Sequence, residues 1–375
     1  MKPVYLDYNA SAPIAPGVVA AMLPLIDGVF GNPSSRHWAG APAKAALEAA
    51  RAQTAALVGC ASDEIVFTSG GTEADNLALA GVFFARGGRG GHIVVSAVEH
   101  PAVRAPCRFL ERLGAEISVL PVDGEGRIDC DDLARAVRPD TILVSVMHAN
   151  NEVGAIQPIA EAAAVARAHG VLFHVDAAQS AGKIATEVSS LGVDLMTLAG
   201  HKFSAPKGVG ALYVRRGVEL EPLLHGGDHE AGRRAGTESA LLAAGLGAAA
   251  ALACDLAPME RVRALRDALW ELLRERFGAR VVLNGGLRHC LPNTLSVSFP
   301  GEVGAEILAR LDGVAASAGS ACHAGRVALS PVLAAMGIAP QVGMGAVRFS
   351  LGRETTRDEI EDVAGRLGVV LRRAA

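Results

Sequence analysis

Between about residues 60 and 215 the chain alternates short β-branched runs with helix-like stretches, and this alternation limits the possible fold more than any other feature. Runs at 64–68, 92–96, 116–120, 141–147, 171–176, 195–198 and 211–214 read as seven strands. Helical patterning fills 73–85, 100–113, 131–137 and 159–169 between several of them. Parallel strands need crossover connections, so this order predicts a mostly parallel sheet with helices on both faces. In such sheets ligands gather at the carboxyl ends of the strands.

After about residue 255 the pattern changes. Helix 259–277 leads to strand-like 280–283 and 294–299, helix 303–311, short strands at 314–316 and 346–350, and helix 357–373. The expected division is a large domain at 15–255 and a smaller α+β domain made by 1–14 together with 256–375, in keeping with ~100–200 residues per domain. A net charge of −4 offers no polybasic surface, so nucleic acid is not an expected partner. The most apolar window, 240–254, is shorter than the ~20 residues a membrane span needs and reads as a buried helix. No charged leader followed by an apolar core opens the chain, and six cysteines lie far apart without Cys-x-x-Cys spacing. Both features fit a reducing cytoplasm and speak against a disulfide framework or a structural metal site.

Only five lysines occur, against thirty arginines, and one of them, Lys202, closes the apolar run that begins at Val193. Arginine carries charge but does not readily lose a proton to form an imine; a desolvated lysine does. A lysine snorkelling from a strand end is the competing reading. Three features bear on the choice. Thr68-Ser69-Gly70-Gly71-Thr72-Glu73 follows a strand and opens a helix, where backbone amides and the Thr72 hydroxyl can cradle a phosphate, although ordinary capping uses the same residues. Asp176 ends a buried strand and needs a cationic partner, which a pyridinium nitrogen, a helix N-terminus or an arginine would supply. His100 follows another strand and is placed to stack on a ring or carry a proton. Phosphate cradle, ring-nitrogen acid and imine-forming lysine together are the equipment of a pyridoxal phosphate enzyme. Cys322 sits in a run of small residues, Ser317–Gly325, read as a loop that would expose a nucleophilic thiol.

These residues fall into motifs whose order is that of a known family. Gly31-Asn32-Pro33-Ser34-Ser35, Thr68–Glu73, Asn150-Asn151-Glu152-Val153-Gly154, His174–Gln179, Gly200-His201-Lys202, Ala235-Gly236-Thr237-Glu238 and Gly319-Ser320-Ala321-Cys322 make the chain resemble the cysteine desulfurases of the NifS/IscS type, within the fold-type I pyridoxal phosphate enzymes. The resemblance runs from Tyr5 to Arg353. It implies a large domain with a mostly parallel seven-stranded sheet, a smaller α+β domain and a homodimer. Lys202 would anchor the cofactor, Asp176 would pair with its ring nitrogen, Gln179 would bond the ring hydroxyl and His100 would stack on the ring. Gly71, Thr72 and His201 would bind phosphate, with Thr237 contributing from a second subunit. Asn151 and Arg348 would hold the substrate carboxylate, and Cys322 would accept sulfur from L-cysteine, leaving alanine. The sulfur would pass to an acceptor protein such as an iron–sulfur scaffold or a thiolation protein.

The pattern is broken at several positions. Bacterial desulfurases usually carry Ser or Thr two residues before His201; this chain has Ala199, and one phosphate hydrogen bond would be missing. The usual Tyr-Gly is Ser204-Ala205, a Gly-Gly-Gly is Gly226-Gly227-Asp228, and a common Leu-Glu-Pro-Ser is Val327-Ala328-Leu329-Ser330. An apolar residue at 199 and the Cys322-His323 pair also occur in selenocysteine lyases, so L-selenocysteine stays open as the substrate.

Overall fold

The computed structural model describes residues 2–323 and 326–371, without side-chain detail for 320–327. Its centre is a seven-stranded sheet in the order Ile65–Thr68, Gly210–Val214, Leu195–Ala199, Leu172–Asp176, Thr141–Ser145, His92–Ser96, Glu116–Leu120. Six strands share one direction; Gly210–Val214 alone runs against both of its neighbours. The mostly parallel sheet expected from the alternation is therefore present, and strand starts and ends fall within two residues of those expected.

Residue alternation explains the layering. Phe67, Val94, Val144 and Phe173 enter the core on one face, while Val66, Ile93, Val95 and Leu143 enter the core on the other. Helix Gly71–Ala85 covers the second face together with Pro101–Glu111. Helices Gly40–Val58, Ile159–Ala168 and Ala240–Ala253 cover the first. The expected buried helix over 240–254 is Ala240–Ala253, and its small residues have a packing reason. A Cβ added at Gly247 would lie 2.5 Å from the Cα of Ala50, so the two helices meet nearly backbone to backbone. Among the described residues no single helix is long and apolar enough to cross a membrane.

Pro16–Ile26 and Gly40–Val58 were not anticipated from the alternation. Both are rich in alanine or other apolar residues on all sides, so no sharp helical stripe marks them.

A four-stranded antiparallel sheet, ordered Ser317–Ala318, Ala346–Ser350, Thr294–Ser298, Val282–Leu283, has its own core with helices Pro258–Phe277 and Arg357–Val370. Val4–Tyr5 pairs in parallel with Val314–Ala315, which draws the N-terminus to this sheet. The run around Cys322, expected as a loop, is a two-stranded hairpin, Ser320–His323 against Arg326–Leu329, with Cys322 opposite Val327. Small residues permit either form, and Val327, Ala328 and Leu329 give the second strand its β-branched and apolar character.

Candidate active site

Because six strands run one way, Thr68, Ser96, Ser145, Asp176 and Ala199 end on the same rim of the sheet. Thr68 and Ala199 both register with Gly210, the first residue of the reversed strand. The contact there is tight: a Cβ on Gly210 would lie 2.8 Å from the Cα of Gly70. Gly70 itself has φ +153°, a backbone conformation open to glycine and strained for other residues. The helix Gly71–Ala85 therefore starts on the rim because two glycines let the chain turn there. Its Glu73 carboxylate accepts from the Ser69 amide at 2.8 Å and pairs with Arg234 at 2.9 Å. The amides of Gly71 and Thr72 keep no partner among the described residues, as an anion-binding helix start requires. Ala199 packs beneath them, its Cβ 3.1 Å from where a Gly71 side chain would begin, and it brings no hydroxyl.

Lys202 closes a single turn, Gly200–Lys202, immediately after the strand Leu195–Ala199. Its Nζ donates to the carbonyls of Asn9 at 2.6 Å and Ala10 at 3.0 Å, not to a carboxylate. Burial first, and then the Arg348 charge, lower its pKa to about 8, while Asp176 and Asp7 oppose the shift. A lysine so placed is a much better nucleophile at neutral pH than an exposed one. Two backbone carbonyls hold the amine, which speaks against a side chain snorkelling into open water. His201 beside it lies 3.4 Å from the Ser11 hydroxyl, and burial lowers its pKa to about 4.

Asp176 is buried and accepts from the Ala178 amide at 2.9 Å. Burial raises its pKa; the Ala178 bond and then His100 and Lys202 counteract. Two further acids surround it. Asp75 is buried with one oxygen unpartnered and 3.6 Å from His174, and burial followed by the Asp176 charge raises its pKa. Glu99 accepts from Ser96 at 2.5 Å and from the Met147 amide at 2.8 Å, leaves its other oxygen unpartnered, and is pushed up to about 8. His174 cannot balance them, because burial lowers its pKa to about 3. This cluster wants a cation. His100 caps helix Pro101–Glu111 by accepting the Ala102 amide on Nδ1 at 3.1 Å, which leaves the proton of the neutral ring on Nε2.

Arg348, on the smaller unit, donates to the Asn151 carbonyl at 2.8 Å, to Asp7 at 2.7 Å and to Ser317 at 2.8 Å. Its Nε is buried without a partner, and the Asn151 side-chain amide has none among the described residues. The turn carrying Asn151 is held by Asn150, whose Oδ1 accepts from the amides of Glu152 and Val153. Glu152 in turn accepts from Ser330 at 2.5 Å, the residue directly after the hairpin that carries Cys322. The hairpin backbone is thereby tied to the Arg348–Asn151 pair. The Cys322 side chain lies outside the described residues. Gln179 donates to the Asn9 carbonyl at 2.9 Å, the same oxygen that Lys202 holds. Thr72 is exposed at its helix start, and Thr237 is exposed on the face that carries Phe30.

The structure thus gathers Lys202, Asp176, His100 and Gln179 with Arg348 and Asn151, and sets Gly71 and Thr72 on the same rim. Residues not singled out from the sequence are Asp7, Asn9, Asp75, Glu99, Glu152 and Lys183. Lys183 was open to the scarcity argument that picks out Lys202, being another of the five lysines.

Comparison with known proteins finds relatives over nearly the whole chain. The model of the aminotransferase class-V family matches residues 4–363. Cysteine desulfurase IscS of Dictyoglomus turgidum is 47% identical over 363 residues, 96% of this chain and 92% of that protein. Cysteine desulfurase IscS of an Escherichia coli O139:H28 strain is 46% identical over 366 residues, 96% of this chain and 90% of that protein. Among solved structures, a NifS-like protein superimposes with a TM-score of 0.93 at 34% identity, covering 99% of both chains. SspA in complex with cysteine gives 0.84 at 36% identity, covering 94% of this chain and 100% of that one.

Proposed function

We propose the roles below from one premise: this chain belongs to the aminotransferase class-V family and, within it, is a pyridoxal phosphate-dependent cysteine desulfurase. The observation that best supports the roles is the buried acid cluster. Asp176, Asp75 and Glu99 stand together with two unpartnered oxygens and, among the described residues, no cation bonded to them; a protonated ring nitrogen against Asp176 would supply one. The partnerless amides of Gly71 and Thr72 suit a phosphate, aided by Thr72 and His201, and the amine of Lys202 suits an aldehyde. With Ala199 below them, the phosphate is held without a hydroxyl from that position. A missing bond of this kind is worth ~1.5–3 kcal/mol to a charged group.

When bound, pyridoxal phosphate supplies an electron sink for the substrate carbon that loses its proton. The protein does the rest. Arg348 and Asn151 hold the substrate carboxylate, which fixes the amino acid's orientation. Lys202 would take the Cα proton at Nζ, and its lowered pKa suits a base at neutral pH. His100 would stack on the bound ring, with the proton of its neutral imidazole on Nε2. Cys322 as thiolate would attack the substrate sulfur: an S–S bond forms on the enzyme, the substrate's C–S bond breaks with its electron pair left on Cβ, and protonation at Cβ and again at Cα gives alanine. The persulfide sulfur then passes to an acceptor protein, such as an iron–sulfur scaffold or a thiolation protein.

The named relatives and the cysteine-bound neighbour favour L-cysteine over L-selenocysteine. A homodimer is part of the proposal. Leu23, Ile26, Phe30 and Trp38 are exposed, and Phe30 lines one groove with Thr237, so a second copy docked there would receive Thr237 at its phosphate. The division into 15–255 and 1–14 with 256–375 is supported by the separate core of the smaller sheet, and a cytoplasmic location by the dispersed cysteines.

The test is Cys322→Ala. The variant keeps the yellow colour of the wild type and loses sulfide release from L-cysteine by ~10²–10⁴-fold, the scale of a deleted catalytic group. Full turnover in this variant would refute the sulfur-acceptor role.

A further inference from the structure

Lys183 is buried, and among the described residues its amine is met by neutral oxygens alone. Its Nζ donates to the Asn9 side-chain oxygen at 3.0 Å and to Gln179 Oε1 at 2.8 Å, and no carboxylate is bonded to it among the described residues. Burial, followed by the charges of Lys202 and Arg348, lowers its pKa well below the ordinary lysine value. Keeping such a group buried is costly, which points to a use.

Its neighbours define that use. The Asn9 side-chain amide is fixed in orientation because its nitrogen donates to the Asn151 carbonyl and to Thr294, leaving Oδ1 for Lys183 and Asn293. The Asn9 backbone carbonyl can only accept, and it takes both Gln179 Nε2 and Lys202 Nζ. Gln179 is therefore gripped at both ends, with Lys183 on its oxygen and Asn9 on its nitrogen. One Nε2–H remains.

We propose that Lys183 is a positioning residue that clamps Gln179 so that the remaining amide proton faces the ring hydroxyl oxygen of the bound cofactor. The inference rests on Gln179 being that oxygen's partner, the role that the resemblance to cysteine desulfurases implies. A donor held there stabilises the ionised oxygen over the protonated one. The charged groups acting around this cluster are Lys202 and Arg348, with Asp176 and Asp7 acting on Lys202.

The test is a pH titration of the visible absorbance band in the holoenzyme and in Gln179→Leu, Lys183→Met, their double variant and Lys183→Gln. Gln179→Leu is expected to raise the midpoint by about one unit, a tenfold change in the proton equilibrium. Lys183→Met is expected to raise it similarly, and the double variant to go no further than Gln179→Leu. Lys183→Gln keeps a donor for Gln179 Oε1 without the lysine amine and should restore the wild-type midpoint, which also covers failure of the methionine variant to fold. An unmoved midpoint in Lys183→Met, additive shifts in the double variant, or a Lys183→Gln midpoint equal to that of the methionine variant would each overturn the clamp while Gln179 keeps its role. An unmoved midpoint in Gln179→Leu removes the role of Gln179 and the clamp with it.

Discussion

Lys202→Ala is expected to lose the visible absorbance band and to release alanine from L-cysteine about 10⁴-fold more slowly than the wild type, at the upper end of what a single proton-transferring group contributes. Two functions go together in this variant. The amine that would hold the cofactor is removed, and so is the base for the Cα proton. The fold should survive, because among the described residues Lys202 Nζ is bonded only to the carbonyls of Asn9 and Ala10. Thermal unfolding of the cofactor-free protein should change by no more than the ~1 kcal/mol typical of an intramolecular hydrogen bond. The wild type carries a companion result. Its amine is expected to react with added pyridoxal phosphate at a rate that climbs with pH and levels off above about 8, because the neutral amine is the nucleophile. A midpoint near the ordinary lysine value of 10.5 would mean that burial does not activate this residue.

Asp176→Asn separates function from stability. Turnover should fall by about 10³-fold, on the scale of deleting one preorganised electrostatic partner of a reacting group. The cofactor-free protein should nevertheless unfold at a higher temperature than the wild type at neutral pH. The folded-state pKa of Asp176 is raised, so its ionisation costs stability as pH rises through that value. Asparagine keeps an oxygen for the Ala178 amide and removes a buried charge that acts on both Asp75 and Glu99. The stability gain should shrink on acidification, where the aspartate is protonated. A variant less stable than the wild type at neutral pH would show that the acid cluster is already balanced in the cofactor-free protein.

Much of this was legible in the chain. β-Branched runs separated by helical stretches imposed the parallel sheet, and a parallel sheet places strand ends such as Asp176 and Ala199 on one rim. Lysine scarcity and the strand-end acid marked the anchor and its counterpart. What stayed hidden depends on distant contacts. Asn9 gathers Lys202, Gln179, Lys183 and Asn293 from separated stretches of chain, and nothing local to Tyr8-Asn9-Ala10 announces that. Asp75 and Glu99 read as ordinary helix and loop acids until the fold buries them beside Asp176. The Cys322 segment was misread as a loop because its small residues carry little strand preference, and the pairing comes from the residues that follow. Arg348 shows a similar dependence: its strand was expected, but its grip on Asp7 and Asn151 requires the two sheets to meet.

The central claim is that Cys322 takes the sulfur. It is tested most directly by exposing the holoenzyme to one equivalent of L-cysteine without a reductant, then weighing the peptide that contains Cys322. The account predicts that this peptide gains one sulfur atom in step with the alanine released, and that reductant removes the gain as sulfide. Alanine released together with free sulfide, while the Cys322 peptide keeps its original mass throughout, would contradict it.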